Sequence, residues 1–318
     1  MTALRIGVTT MATEPPGRFR DLVSAVDEGG FDELWVCDSS LHARDVYPYL
    51  TLVALESRRL AFGPNCTHPY TRHPSITLNA MATLSELSGG RARLAVGAGD
   101  RPVRELGHRM ASVAKVREMI GVVRAATGLH VPLPSPLPVY VAASGPRMLA
   151  LGGELADGVL FFSGVHSPCV EWALAQIRSG AHGAGRDPAA LDVGCTIAGS
   201  LRDDADLARR ECVPMAAWFP QTAPHYAELA GVPAEVTQKI RAAYAGGHFD
   251  GADGAFGHVT DAMIDRFTVA GSAELWVQRI KDVVALGVTH INIFLLSRDK
   301  LAMVRDLAAR VLPHVRNA

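Results

Sequence analysis

Thr10-Met-Ala-Thr-Glu-Pro-Pro-Gly17 follows directly on the first apolar run, Leu4–Thr10, and decides between two parallel-sheet folds. An open, doubly wound sheet that binds a dinucleotide carries a Gly-x-Gly-x-x-Gly turn at this point, because the pyrophosphate needs backbone close to the helix start. Paired prolines and one glycine fill the turn here, so that reading fails its first test. Seven more apolar runs follow: Asp32–Cys37, Leu60–Cys66, Arg91–Gly97, Pro138–Ala143, Gly158–Phe162, Leu191–Ala198 and Thr289–Leu296. Nearly continuous apolarity marks strands covered on both faces, as in a parallel sheet under helices. Between them, apolar residues recur at three- and four-residue steps over Phe19–Glu28, Pro74–Leu87, Ser112–Ala126, Arg147–Leu155 and Glu171–Ala181, the spacing of amphipathic helices. Glycines at 29–30, 89–90 and 183–185 stand where a left-handed residue closes a helix.

Eight strands alternating with helices predict an α/β protein of the (β/α)8 TIM-barrel class. Such a barrel needs about 250 residues, and the chain has 318. The surplus lies mostly between Leu201 and Ala270, which predicts a helical insertion before the last strand, with two or three short helices and the Gly-rich segment Gly246–Gly257. Linkers, repeats and low-complexity tracts are missing, so one domain over residues 1–318 is expected.

Composition narrows the function classes. The chain is 48% hydrophobic and 20% charged with a net charge of −1, so bulk electrostatics recruits neither nucleic acid nor an anionic membrane. Apolar windows stay well short of the roughly 18 residues of a membrane span. The first residues read as a strand and not as a secretion signal. The five cysteines, Cys37, Cys66, Cys169, Cys195 and Cys212, include no Cys-x-x-Cys pair; reduced thiols in a cytoplasmic protein are the expectation, and no metal site.

In barrels of this class the active site lies where the strands end. Those ends are Thr9–Thr10, Cys37-Asp38-Ser39-Ser40, Asn65-Cys66-Thr67-His68, Gly97-Ala98-Gly99-Asp100, Ala143-Ser144-Gly145-Pro146 and Ser163-Gly164. They are rich in Gly, Ser and Thr and poor in metal-ligand spacings, and neither Gly-x-Ser-x-Gly nor His-Glu-x-x-His occurs. Such a site holds an organic cofactor that does the chemistry. In Ser144-Gly145-Pro146, Pro suits the first helical position and Ser the cap, so the motif is either an ordinary capped helix or an anion site. The two glycines of Gly97–Asp100 let backbone approach a ligand, while Asp100 could equally cap a turn. Asp38 is an inward polar group or a turn former; His68 and His73, beside Tyr70 and Arg72, divide between surface and site roles.

Taken together, Leu34-Trp-Val-Cys-Asp38, Gly63-Pro-Asn-Cys-Thr-His-Pro-Tyr-Thr-Arg-His-Pro74, Gly90-Arg-Ala-Arg-Leu-Ala-Val-Gly-Ala-Gly-Asp100, Pro138-Val-Tyr-Val-Ala-Ala-Ser-Gly-Pro146, Gly153-Glu-Leu-Ala-Asp-Gly158, Phe249–Gly271 and Leu286-Gly-Val-Thr289 resemble the bacterial-luciferase-like superfamily. Within it the chain is similar to the deazaflavin-dependent branch of the methylenetetrahydromethanopterin reductases, over nearly its whole length. The resemblance implies coenzyme F420 at the barrel mouth, with FMN as the alternative. It implies a non-prolyl cis peptide at Asn65–Cys66 in a bulge behind the ring. It implies a tail-phosphate site at Ser144, Gly145 and Pro146 near Ser163 and Gly164, and Asp38, Thr67, Gly97, Gly99 and Asp100 along the ring and substrate sides.

The departures are as informative. Methanopterin-type reductases have a Glu at the end of the first strand where this chain has Thr9, and a hydroxyl is a poor acid at neutral pH. The segment Gly128–Leu137 is short and carries Pro132, Pro134 and Pro136 ahead of Pro138, which suggests an open mouth. The resemblance therefore implies an F420H2-dependent reductase acting on an activated C=N or C=C bond in a small-molecule or peptide intermediate (an imine, dihydropyrrole or dehydroamino acid), with Asp38, Asp100 or a water held by Thr9 supplying the proton. An FMN monooxygenase, a methylenetetrahydromethanopterin reductase proper and a barrel without catalysis are the alternatives. A homodimer through helices near the second and third strands is implied as well; Leu50, Leu52, Val53 and Leu55 fit either that interface or barrel packing.

Overall fold

The computed structural model describes residues 4–126, 129–131, 133–244 and 253–316. Pro132 of the proline-rich connection and 249–252 of the late segment lie outside the described residues. Its strands are β1 (Arg5–Met11), β2 (Glu33–Cys37), β3 (Ala61–Pro64), β4 (Leu94–Val96), β5 (Val139–Ala143), β6 (Gly158–Phe161), β7 (Asp192–Leu201), β8 (Val269–Gly271) and β9 (His290–Leu295). The fold is the (β/α)8 barrel that the eight apolar runs predict, with β8 as an extra strand that, among the described residues, pairs with β7. Three residues are too few to show periodicity, which is why β8 is invisible in the sequence.

Residue contacts divide the chain into two compact units. One holds Arg5–Phe161 and Gln176–Gly194. In it β1, β2 and β3 pair in parallel with Thr9 opposite Trp35 and Trp35 opposite Gly63, and β4, β5 and β6 pair likewise with Ala95 opposite Tyr140 and Tyr140 opposite Gly158. The predicted helices of this unit appear as Pro16–Glu28, Pro74–Ser88, Val113–Ala125 and Pro146–Leu155, and Val46–Glu56 is added; the predicted helix Ser167–Gly183 has residues in both units. Gly89 closes Pro74–Ser88 in the left-handed region at φ +66°.

Two aromatic side chains fill the centre of this unit. Trp35 and Tyr140 meet edge to face, with ring centroids 5.5 Å apart, among Ala95 and Leu160. Rings of that size fit because their strand neighbours are glycines. A Cβ on Gly63 would lie 1.8 Å from the Arg93 carbonyl oxygen and 3.2 Å from the Trp35 ring, and one on Gly158 would lie 2.3 Å from the Tyr140 ring. The indole N–H of Trp35 donates to buried Glu33 at 2.8 Å, Arg5 pairs with Glu33 and Asp192, and the Tyr140 hydroxyl donates to Asp192. The polar tips of the core rings are thus satisfied at the strand starts.

The other unit comprises Met1–Leu4, Phe162–Ala175 and Cys195–Ala318. Between β7 and β8 it carries more helix than the two or three short ones expected: Ala205–Thr222, Pro224–Leu229, Ala234–Ala243, Asp253–Phe256 and Asp261–Phe267. The 18-residue helix Ala205–Thr222 contains Pro214 and Pro220, residues that argue for breaks when read from sequence alone. Tertiary packing overrides them: Phe219 stacks on Phe267 at 4.3 Å and contacts Phe162 and Tyr226. Among the described residues no helix is long and apolar enough to cross a membrane.

Gly63→Ala is expected to destabilise the chain by about 2 kcal/mol or more in urea unfolding, because the new methyl meets backbone that cannot yield. Gly17→Ala, with nothing within 4 Å of its Cβ position, is expected to stay within about 0.5 kcal/mol of the parent.

Candidate active site

The predicted residues of β1 to β5 gather at the strand ends of the first unit. β3 stops at Pro64, and the peptide bond Asn65–Cys66 is cis, at the position the family resemblance implies. Chain pairing then resumes: the Thr67 N–H donates to the Ala95 carbonyl at 3.0 Å and the Gly97 N–H to the Thr67 carbonyl at 2.9 Å. This bridge sets which way each bulge side chain points, since successive side chains on extended backbone alternate in direction.

Cys66 and His68 point one way, toward Gly97 and Gly99. A Cβ on Gly97 would lie 2.5 Å from the Cys66 sulfur, and one on Gly99 would lie 3.1 Å from the His68 ring and 2.3 Å from Val103. The two glycines therefore leave the space that these two side chains occupy, and Gly99 in addition has φ +74°. Approach of backbone to a ligand is not needed to explain them. Desolvation, with Asp38 and Asp100 adding to it, pushes the Cys66 thiol up to about 12. It is a packing group at neutral pH and not a nucleophile.

Thr67 points the other way. Its hydroxyl donates to Asp38 Oδ2 at 2.8 Å, while Ser40 donates to Asp38 Oδ1 at 3.3 Å. Asp38 is 6% exposed, and these two donors provide the bonds that a buried carboxylate requires. Thr9, also buried, accepts from the Asn65 amide at 3.3 Å, so its hydroxyl steadies the residue before the cis bond. Asp100 stands before the short helix Arg101–Glu105 without capping it and pairs with Arg104 at 3.2 Å.

Sequence reading missed Tyr47. Its N–H donates to Asp45, Asp45 also pairs with Arg72, and the Arg72 guanidinium covers the Tyr47 ring at 4.5 Å from its centroid. Burial, with Asp38 adding to it, drives the Tyr47 phenol up to about 12. Loops after β2, β3 and β4 are further tied by His42 with Glu105 and by stacking of Tyr70 on His108 at 5.1 Å. The Asp45 cap is local to the start of helix Val46–Glu56, but no local sequence signal announces the other contacts, because each joins residues that follow different strands.

The Ser-Gly-Pro motif needs a correction. Gly145, not Ser144, is the N-cap of helix Pro146–Leu155, and no side chain caps it. Pro146 takes the first helical position as expected. A Cβ on Gly145 would meet nothing within 4 Å, and Arg147, a residue the sequence reading passed over, is exposed on the first turn. Uncapped N–H groups beside a guanidinium suit an anion. Ser163 and Gly164 belong to the other unit. There Ser163 is fully buried, its hydroxyl donating to the Gly164 carbonyl. Gly164, at φ +77°, lies against Arg266 and Phe267 so closely that a Cβ would come within 2.8 Å of both. That packing by itself accounts for the glycine.

Residues 1–290 match the family model described as luciferase-like monooxygenase. The chain is 30% identical over 307 residues to 5,10-methylenetetrahydromethanopterin reductase of Methanolobus tindarius, covering 91% of this chain and 93% of that protein. It is 32% identical over 289 residues to the reductase of the same name from Archaeoglobus fulgidus, covering 85% and 86%. Among solved structures, the coenzyme F420 dependent tetrahydromethanopterin reductase of Methanopyrus kandleri superposes with a TM-score of 0.85 at 27% identity, over 99% of this chain and 100% of that one.

Gly97→Ala is expected to lower stability by about 1–3 kcal/mol, and Cys66→Ala to recover part of that loss in the double variant. A double-mutant cycle by urea unfolding measures the coupling; additive losses would mean that Gly97 does not accommodate the Cys66 sulfur.

Proposed function

The chain belongs to the luciferase-like monooxygenase family, and we propose that it is a reductase passing hydride from reduced F420 to an activated C=N or C=C bond. It is an oxidoreductase that uses F420; the acceptor is the proposed part. The observation that carries the reading is the buried Asp38 carboxyl group held by Thr67 and Ser40 at the strand ends, in a chain related to an F420-dependent reductase over nearly its full length.

The residues fit the cofactor. The uncapped start of helix Pro146–Leu155, with Arg147 beside it, would hold the tail phosphate through backbone N–H groups and one guanidinium. Asn65, Cys66 and Thr67 would back the ring, with Gly97 and Gly99 behind them. When bound, F420H2 supplies the hydride. The chain supplies order and a relay for a proton drawn from water. Asp38, fixed by Thr67 and Ser40, is the proposed proton carrier, because Asp100 is less buried and engaged with Arg104. Thr9, engaged with Asn65, takes a positioning role.

Imines, dihydropyrroles and dehydroamino acids, free or within a peptide, are the proposed acceptors. The identity to two methylenetetrahydromethanopterin reductases favours that pterin as the second candidate, and Thr9 in place of a glutamate weighs against it. We also assign the working form as a homodimer. Leu50 and Val53 are buried in barrel packing, whereas Leu55, Ile76 and Leu87 stand 62%, 54% and 47% exposed on helices Val46–Glu56 and Pro74–Ser88, an apolar set that suits burial.

Titration by fluorescence is expected to give tight binding of F420 and none of FMN; the reverse would overturn the cofactor assignment. Arg147→Ala is expected to weaken F420 binding about threefold to tenfold. Assays of F420H2 oxidation against imine, dihydropyrrole, dehydroamino acid and methylenetetrahydropterin acceptors decide the substrate class. With the acceptor so found, Asp38→Asn is expected to lower kcat about 100-fold while leaving F420 affinity within about threefold.

A further inference from the structure

His68 is 1% exposed and lies two residues beyond the cis bond, yet no part of the proposed chemistry uses it. Its ring fills the space beside Gly99. Its Nδ1 accepts from the Tyr70 N–H at 3.4 Å, and its Nε2 lies 3.5 Å from the Thr71 hydroxyl. One imidazole thus joins three parts of the mouth: the bulge, the turn after it, and the Gly97–Asp100 segment.

A backbone N–H can only donate, so Nδ1 must present its lone pair and the proton must sit on Nε2. A second proton would turn Nδ1 into a donor facing the Tyr70 N–H. We propose that His68 is a positioning residue whose neutral ring holds the bulge against Gly97–Asp100, and that protonation of this ring releases the segment that backs F420. The inference rests on the assignment of F420 to these strand ends.

Burial lowers the His68 pKa from its ordinary 6.5, against an opposing pull from Asp38. Titratable groups lie at the strand ends around it and on its own bulge. Asp38 lies at the end of β2, and Cys66 shares its own bulge. Asp100 with Arg104, and Arg101 with Glu105, follow β4; His108 lies beyond Tyr70. Burial outweighs Asp38 in the direction of the shift, so the ring is neutral at pH 7. Stability and cofactor order are then full above 6.5 and lost as pH falls through the lowered value.

The test uses the full chain and coenzyme F420 itself. Side-chain nitrogen NMR of the cofactor-free protein is expected to show His68 as the Nε2–H tautomer titrating below 6.5, with the amides of Tyr70 and of Gly97–Asp100 shifting in step. F420 affinity, followed by fluorescence from pH 8 to 5, is expected to fall by up to about tenfold per pH unit below the His68 pKa. His68→Asn keeps an acceptor where Nδ1 sits but cannot be protonated. It is expected to bind F420 as the parent does at pH 7.5 and to lose the His68 part of the acid slope, while His68→Ala binds weakly throughout. An unchanged acid slope in His68→Asn, or titration at or above 6.5, would overturn the proposal. Failure of F420 to bind the parent at any pH would remove the cofactor assignment instead, and the co-titration of the Tyr70 and Gly97–Asp100 amides would then decide the positioning role alone.

Discussion

Two backbone hydrogen bonds, Thr67 N–H to the Ala95 carbonyl and Gly97 N–H to the Thr67 carbonyl, fix the arrangement at the strand ends of the first unit. They return the chain to parallel pairing immediately after the cis bond at Asn65–Cys66. Once that register is set, side-chain alternation leaves no freedom. Cys66 and His68 must enter the β4 side, and Thr67 must meet Asp38. A slip of one residue would bury Thr67 against Gly97 and aim a thiol and an imidazole at the carboxylate.

The same register explains the run Gly97-Ala98-Gly99. Glycine there meets a packing demand from within the chain, where bulky bulge residues need room. The proposed cofactor site would then be served by what the packing holds still. A preorganised surface costs little ordering on binding. The clamp of Asp45 and Arg72 on Tyr47, and the links between loops after β2, β3 and β4, extend that rigidity to the surrounding loops. Catalytic loops on barrels gain precision in this way from contacts that never touch substrate.

Much of the fold was legible because parallel strands buried on both faces write themselves as apolar runs, and β1 to β7 and β9 fall on the eight that were read. Helices Pro74–Ser88 and Pro146–Leu155 begin at the prolines that announce them. The short β8 carries no period, and the helix containing Pro214 and Pro220 contradicts its own local signals. There, stacking of Phe219 on Phe267 decides what propensity cannot.

The amino-acid sequence by itself determined the order of strands and helices, the identity of the residues at each strand end, and through family likeness the position of the cis bond. It left each polar residue with several possible partners. Only tertiary structure decided that Thr67 serves Asp38, that Thr9 steadies Asn65, that Gly145 rather than Ser144 opens its helix, and that His68 is a buried tie. The reason is physical. Composition and period report what one segment does, whereas a hydrogen-bond partner or a vacant Cβ position depends on the register between segments, which long-range packing sets.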